Sequence, residues 1–190
     1  MKIETDIAAV EFKSIAKGMI VTDEMLKAAQ INLVLATTLC PGKYLTIVSG
    51  KTSAVEKSVE VADRLGGREV FSSFVISAIN SEIIDAISGK PGAELEDSIG
   101  IIESLQMANL INAADISLDS AEVKIVEFRL GKGCGVNSFY IITGKLTAVE
   151  EAVKNSAEFL KDNGSLIAFR VIASPDRELL RWLEPTMCMC

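Results

Sequence analysis

The chain has 190 residues, with 19 basic and 26 acidic side chains and a net charge of −7, a balance that argues against nucleic acid or anionic lipid as partner, since both need a basic surface. It contains no histidine, which excludes mixed Cys/His zinc sites, Ser-His-Asp triads and imidazole bases within one chain. Hydrophobic residues make up 49% but aromatics only 5%, a surplus of aliphatic surface that small domains bury best in subunit contacts.

No apolar run approaches the ~18 residues of a membrane span, and the opening Met-Lys-Ile-Glu-Thr-Asp does not read as a signal peptide. The expected setting is the cytoplasm, with no membrane partner. There the four cysteines are expected as reduced thiols or metal ligands rather than disulfides.

In chain order, residues 7–13 read as a strand, and Ala16 to Ala29 as a helix burying Ala16, Met19, Leu26 and Ala29. Residues 31–39 form a strand with Ile31, Leu33, Leu35 and Leu39 on one face. A Cys40-Pro41-Gly42-Lys43 turn leads into the next strand at 44–49. Ser53 followed by Glu56 reads as a capping box opening a helix with the stripe Val55, Val59 and Ala62. A strand at 70–78 and a short helix at 81–87 end this half, and Ser88 to Glu94 reads as a linker.

The second half repeats the first. Ile7, Glu11, Ala16, Asp23, Leu26 and Ala29 match Ile99, Glu103, Ala108, Asp115, Leu118 and Ala121 at a constant separation of 92 residues. Past the turn, Gly50-Lys51 and Ala54-Val55-Glu56 match Gly144-Lys145 and Ala148-Val149-Glu150 at a separation of 94. Thr147 and Glu150 repeat the capping box, with Val149, Ala152 and Val153 behind it, and a last helix carries Leu179, Leu180 and Leu183. The order β-α-β-β-α-β plus a terminal helix, twice over, predicts an α/β (α+β) chain of two ferredoxin-like domains with antiparallel sheets and flanking helices. The expected limits are 5–88 for the first domain, 89–97 for the linker, 98–184 for the second domain and 185–190 for a tail.

The separation changes inside one loop, which is Cys40-Pro41-Gly42-Lys43 in the first copy and the longer Gly131-Lys132-Gly133-Cys134-Gly135-Val136-Asn137-Ser138 in the second. Variable loops on a duplicated core are where function concentrates. The glycine-rich loop is not a phosphate-binding P-loop, because the spacing is wrong and no Gly-Lys-Ser/Thr occurs.

The segment SIAKGMIVTDEMLKAAQINLVLATTLCPGKYLTIVSG, together with the duplication over residues 5–184, resembles the tandem, trimer-forming bacterial microcompartment shell proteins, and most of all their propanediol-utilisation branch. The unpermuted order of the halves is similar to the single-layer trimers of that class. The resemblance implies a pseudo-hexameric homotrimer that tiles with other shell proteins, not an enzyme, without catalytic residues. It implies a central pore lined by Leu39, Cys40, Pro41, Gly42 and Lys43 from one loop and Lys132, Gly133, Cys134 and Gly135 from the other. It implies that Cys40 is the metal ligand, three copies holding one [4Fe–4S] cluster per trimer for electron transfer or cluster delivery, with a redox enzyme in the lumen as a possible partner. Threefold symmetry suits this, since one thiol near the axis becomes three, and iron–sulfur clusters are held by thiolates. Pro41 and Gly42 favour a tight turn with Cys40 at its tip, and Lys43 is placed to favour the thiolate.

The alternatives are a shell tile with an open or gated pore for small metabolites and no cluster, or a ferredoxin-like regulatory protein, which would need a cleft with convergent polar groups. Lys27 matches the lysine such domains carry at the edge between trimers, whereas the second copy has Asp119 there. The family's Pro-Arg-Pro-His-like stretch is Ser174-Pro175-Asp176-Arg177 here, and Ala78-Ile79-Asn80-Ser81 in the first half. Cys188 and Cys190 are read as a loose tail, and the recurring Asp23 and Asp115 as fold residues.

Overall fold

The computed structural model describes residues 4–90, 92–95, 97–131 and 137–179. The chain divides into two compact units between Ile84 and Asp85. The first contains β1 (Glu4–Phe12), α1 (Ile15–Ala28), β2 (Ile31–Leu39), β3 (Lys43–Gly50), α2 (Thr52–Gly66), a 3-10 turn at Gly67–Glu69 and β4 (Val70–Asn80), and α3 (Ser81–Ile87) spans the division. The second contains β5 (Ser98–Ser104), α4 (Met107–Ser120), β6 (Val123–Arg129), β7 (Ser138–Gly144), α5 (Leu146–Asp162) and β8 (Leu166–Ile172). Each unit has a four-stranded sheet, ordered β2-β3-β1-β4 and β6-β7-β5-β8, with every pairing antiparallel. The ferredoxin-like tandem expected from the element order is the fold observed. Among the described residues no helix is long and apolar enough to cross a membrane.

The duplication extends to irregularities that composition does not reveal. β2 skips a partner between Leu33 and Leu35, and β6 does so between Ile125 and Glu127, 92 residues on. β4 and β8 each bulge by one residue where they meet the end of β1 and of β5. Bulges bend a strand and raise its twist, so both copies carry the same built-in curvature. The bulge also corrects the expected single apolar face of β2. Alternation fails at Val34, and Leu33 is left 46% exposed.

The phase of α1 also differs from expectation. Its buried residues are Gly18, Val21, Thr22 and Met25, while Met19 and Leu26 are exposed. Gly18 faces inward because Tyr44 lies against it, where an added Cβ would stand 2.6 Å from the ring. Thr22 tolerates burial because its hydroxyl donates to the Gly18 carbonyl at 2.8 Å and lies 2.5 Å from the Thr46 hydroxyl. A polar side chain satisfied this way costs little inside, yet an apolar stripe does not reveal it.

The helix starts are simpler than predicted. α2 and α5 begin at Thr52 and Leu146, with Lys51 and Lys145 as caps and no side-chain cap bond. Ser53 and Thr147 therefore sit inside the first turn rather than capping it. The side-chain cap falls instead on α1, where the Ser14 hydroxyl accepts from the Lys17 amide at 3.3 Å. The stripes Val55/Ala62 and Val149/Ala152/Val153 are buried as expected.

Part of the linker is docked. The Ala93 amide donates to the Ile125 carbonyl at 2.9 Å, and Leu95 packs on Ile99, Val126 and Ile141. Gly92 passes so close to β6 that a Cβ would stand 1.9 Å from the Val126 carbonyl oxygen. The expected helix through Leu180 and Leu183, and the tail at 185–190, lie outside the described residues.

Candidate functional site

The register closes β2 on β3 with Leu39 opposite Lys43, leaving Cys40, Pro41 and Gly42 as the whole connection. Gly42 has φ +74°, a left-handed conformation glycine adopts without a Cβ penalty, and Cys40–Pro41 is cis. Cys40 is a free, exposed thiol at this tip. Pro41 and Gly42 are exposed beside it, whereas Leu39 is 6% exposed and anchors the loop in its own domain. The tip thus presents one thiol from a short hairpin whose base is buried.

Lys43 is not turned toward that thiol. Its ammonium donates to Glu11 Oε1 at 2.7 Å and stands 3.4 Å from the centre of the Phe71 ring. Ser72 Oγ donates to the other oxygen of Glu11 at 3.3 Å. The expectation that Lys43 offsets charge at Cys40 is therefore corrected, because its charge is paired across the sheet. Glu11, Phe71 and Ser72 were not legible as site residues. The available signal was asymmetry, since Lys43, Phe71 and Ser72 become Asn137, Ile167 and Ala168 in the second copy.

The equivalent loop of the second unit leaves β6 past Arg129 and the buried Leu130. Gly131 takes φ +53°, and its amide donates to Ser138 Oγ at 3.0 Å. Lys132, Gly133, Cys134 and Gly135 lie outside the described residues, as do Cys188 and Cys190. Among the described residues no group of three or more Cys, Asp or Glu side chains gathers to hold a metal ion.

Lys27 is in the last turn of α1. It is 62% exposed, paired with Asp23 and, at 3.1 Å, with Glu24. The hydrogen bond it donates to Asp23, followed by the one it donates to Glu24, raises its pKa, so it stays cationic at neutral pH. A groove of about 500 Å³ in the second unit runs between α5 and β8. Val153, Ala157, Leu166, Phe169 and Val171 line it, with Glu150, Lys154, Glu158 and Lys161 all contributed by the one helix.

Two sheets of one topology, repeated in tandem with a thiol-tipped loop in the first, define a class. The BMC domain matches residues 6–79 and again 98–175, and the chain belongs to that family. Within it the chain is a PduT-like tandem. It is 32% identical over 175 residues to the bacterial microcompartment shell protein PduT of Citrobacter freundii, covering 92% of this chain and 95% of that one. It is 30% identical over 86 residues to the shell protein PduK of Salmonella typhimurium, covering 45% of this chain and 53% of the relative. The crystal structure of a microcompartments protein from Desulfitobacterium hafniense superposes with a TM-score of 0.90 at 36% identity, covering 94% and 99% of the two chains.

Proposed function

We propose that this PduT-like tandem shell protein forms a pseudo-hexameric homotrimer whose central pore holds one [4Fe–4S] cluster through three Cys40 thiolates. The observation that carries the reading is the exposed Cys40 at the tip of a three-residue turn. When bound, such a cluster supplies one-electron redox chemistry. The chain's own part is to present the thiols, keep them in register and close the pore, for electron transfer or cluster delivery across the shell. Other shell proteins, and a redox enzyme in the lumen, are the partners this role implies.

A comparison of twin helices supports the ring. At equivalent positions Ile111 of α4 is fully buried, whereas Met19 of α1 is 51% exposed and the adjacent Ile20 is 64% exposed. The face that is covered on one copy is bare on the other, and a neighbouring protomer covers it in the assembly. Bare apolar faces of this kind mark subunit contacts. Lys27 then lies at the outer edge, where its ammonium reaches backbone carbonyls of the next trimer.

The test is an anaerobically reconstituted preparation measured by light scattering, absorption and iron content. Three times 20.4 kDa, a brown chromophore near ~400 nm and roughly 1.3 iron per chain, the ratio for one four-iron cluster per trimer, are expected. A stable monomer refutes the ring. A trimer that takes up no iron leaves the metabolite-pore reading.

A further inference from the structure

We propose that Glu11, Lys43 and Phe71 form a positioning clamp that fixes the Cys40 turn so that the three thiols of a trimer meet in one register. The proposal rests on the convergence of Cys40 argued above. The sheet order β2-β3-β1-β4 places Lys43 on β3, Glu11 on the adjacent β1, and Phe71 on β4 beyond it. The Lys43 side chain therefore crosses one strand completely to reach its 3.4 Å contact with the aromatic ring. On the way it donates to Glu11 at 2.7 Å. One side chain ties three strands together at the residue that ends the Cys40 turn.

The contact is strong where it lies. The Glu11 and Lys43 side chains are only 10% and 21% exposed, so the pair is little screened by solvent. An aromatic face attracts an ammonium through its quadrupole. Phe71 reaches the site because it is the extra residue of the bulge, lying between Ser72, which pairs with Glu11, and Val70, which pairs with Phe12. The same bulge exists in the second copy, between the partners of Glu103 and Ser104. Yet its extra residue is Ile167, and Asn137 stands where Lys43 would be. The bulge is common to both copies, but the second loop is tied in another way, by Arg129 of β6, which pairs with Glu127 and stands over the Phe139 ring of β7, so that only in the first copy is the cation the residue that ends the turn.

Both loop bases thus combine a carboxylate, a cation and a ring, but Arg129 joins only β6 and β7, whereas Lys43 joins three strands from the residue adjoining the Cys40 turn. A tie across three strands at the residue next to the thiol-bearing turn fits a need for precision at that tip. Proximity-dependent steps are sensitive to errors of an ångström, and three thiols sharing one small cluster make that demand.

The experiment uses the full chain with Cys134, Cys188 and Cys190 replaced by serine, so that Cys40 is the sole thiol. Iron-free protein is treated with a short bis-maleimide, and chain-to-chain crosslinking is timed against single-site alkylation. The parent is expected to crosslink readily. Lys43→Met is expected to slow crosslinking by roughly tenfold or more, with trimer mass and single-site alkylation unchanged. Lys43→Arg, which keeps charge and ring contact, is expected to restore it, and Phe71→Leu to give a partial loss in a variant without a buried unpaired carboxylate. Lys43→Met crosslinking at the parental rate overturns the proposal, as does a parent that does not crosslink. If crosslinking depends on Lys43 but no iron chromophore forms in the parent, the clamp stands and the cluster reading fails.

Discussion

Tyr140 offers a stringent check on how the second domain is held together. Its ring stacks on Phe128 at 5.7 Å between centroids, and the residue is fully buried. Its hydroxyl lies 2.7 Å from Ser117 Oγ and donates to the Ala113 carbonyl at 3.1 Å, both on α4. Burial, only partly countered by hydrogen bonds from Ser117 and Ser156, pushes the phenol up to about 12 from its ordinary 10. Tyr140→Phe keeps the ring and removes two bonds, each contributing about 1 kcal/mol net, so a loss of about 2 kcal/mol is expected. For a unit of this size that lowers Tm by roughly 8–15 °C if it melts independently. The pH dependence has a definite sign. Because the folded pKa exceeds the unfolded value, the folded state holds the proton longer, so this contribution is complete below about pH 10 and is lost as pH rises toward about 12. The displacement corresponds to roughly 3 kcal/mol. Urea denaturation of parent and variant at pH 8 and at several points up to pH 11.5 measures both effects. The difference between the two proteins should shrink as pH rises. A constant difference, or a loss below about 0.5 kcal/mol at pH 8, would refute the account of the buried hydroxyl.

Gly92→Ala should release the docked segment from β6, since its Cβ meets backbone oxygen at 1.9 Å; hydrogen exchange at the Ala93 amide should accelerate, and unchanged protection would contradict the close approach. Lys27→Ala should leave the trimer intact but weaken sheets or tubes seen by electron microscopy; assembly equal to the parent would reduce Lys27 to its pairs with Asp23 and Glu24. Cys40→Ser should abolish colour and iron while preserving trimer mass, and Cys134→Ser should keep both. Colour lost only in the Cys134 variant would assign the cluster to the other loop.

The fold was legible because duplication supplied two readings of each element, and because the short apolar runs that became β3 and β7 are bounded by turn residues at both ends, as buried strands are. What escaped were features depending on a partner distant in sequence. α1 was given the wrong face because Thr22 counts as polar until Thr46 is known to meet it. β2 was given one apolar face because a bulge shifts the alternation without leaving a glycine or proline behind. The capping boxes placed the caps at Ser53 and Thr147, two residues past the true N-caps Lys51 and Lys145. Cys40 was legible as the tip of a turn, since Pro41 and Gly42 announce one. The direction of Lys43 was not, because its partners are 32 and 28 residues away on other strands.

Differences between the copies locate special requirements better than features they share. Both sheets keep the bulges, the strand order and a polar bridge from the first helix to the third strand. That bridge is Thr22 to Thr46 in one copy and Ser117 to Tyr140 in the other. A shared device answers to the fold, and substitution within it is tolerated when the bridge is rebuilt with other groups. The Glu11–Lys43–Phe71 contact is rebuilt as well, on other strands: Asn137 and Ile167 supply neither cation nor ring, and Arg129 instead pairs with Glu127 and stands over the Phe139 ring. In the first copy the cation is Lys43 on the strand that leaves the turn, and in the second it is Arg129 on the strand that enters the loop. Lys43 immediately follows the turn that presents Cys40, so the first copy ties the exit of its loop across three strands, whereas the second ties the entry of its loop across two.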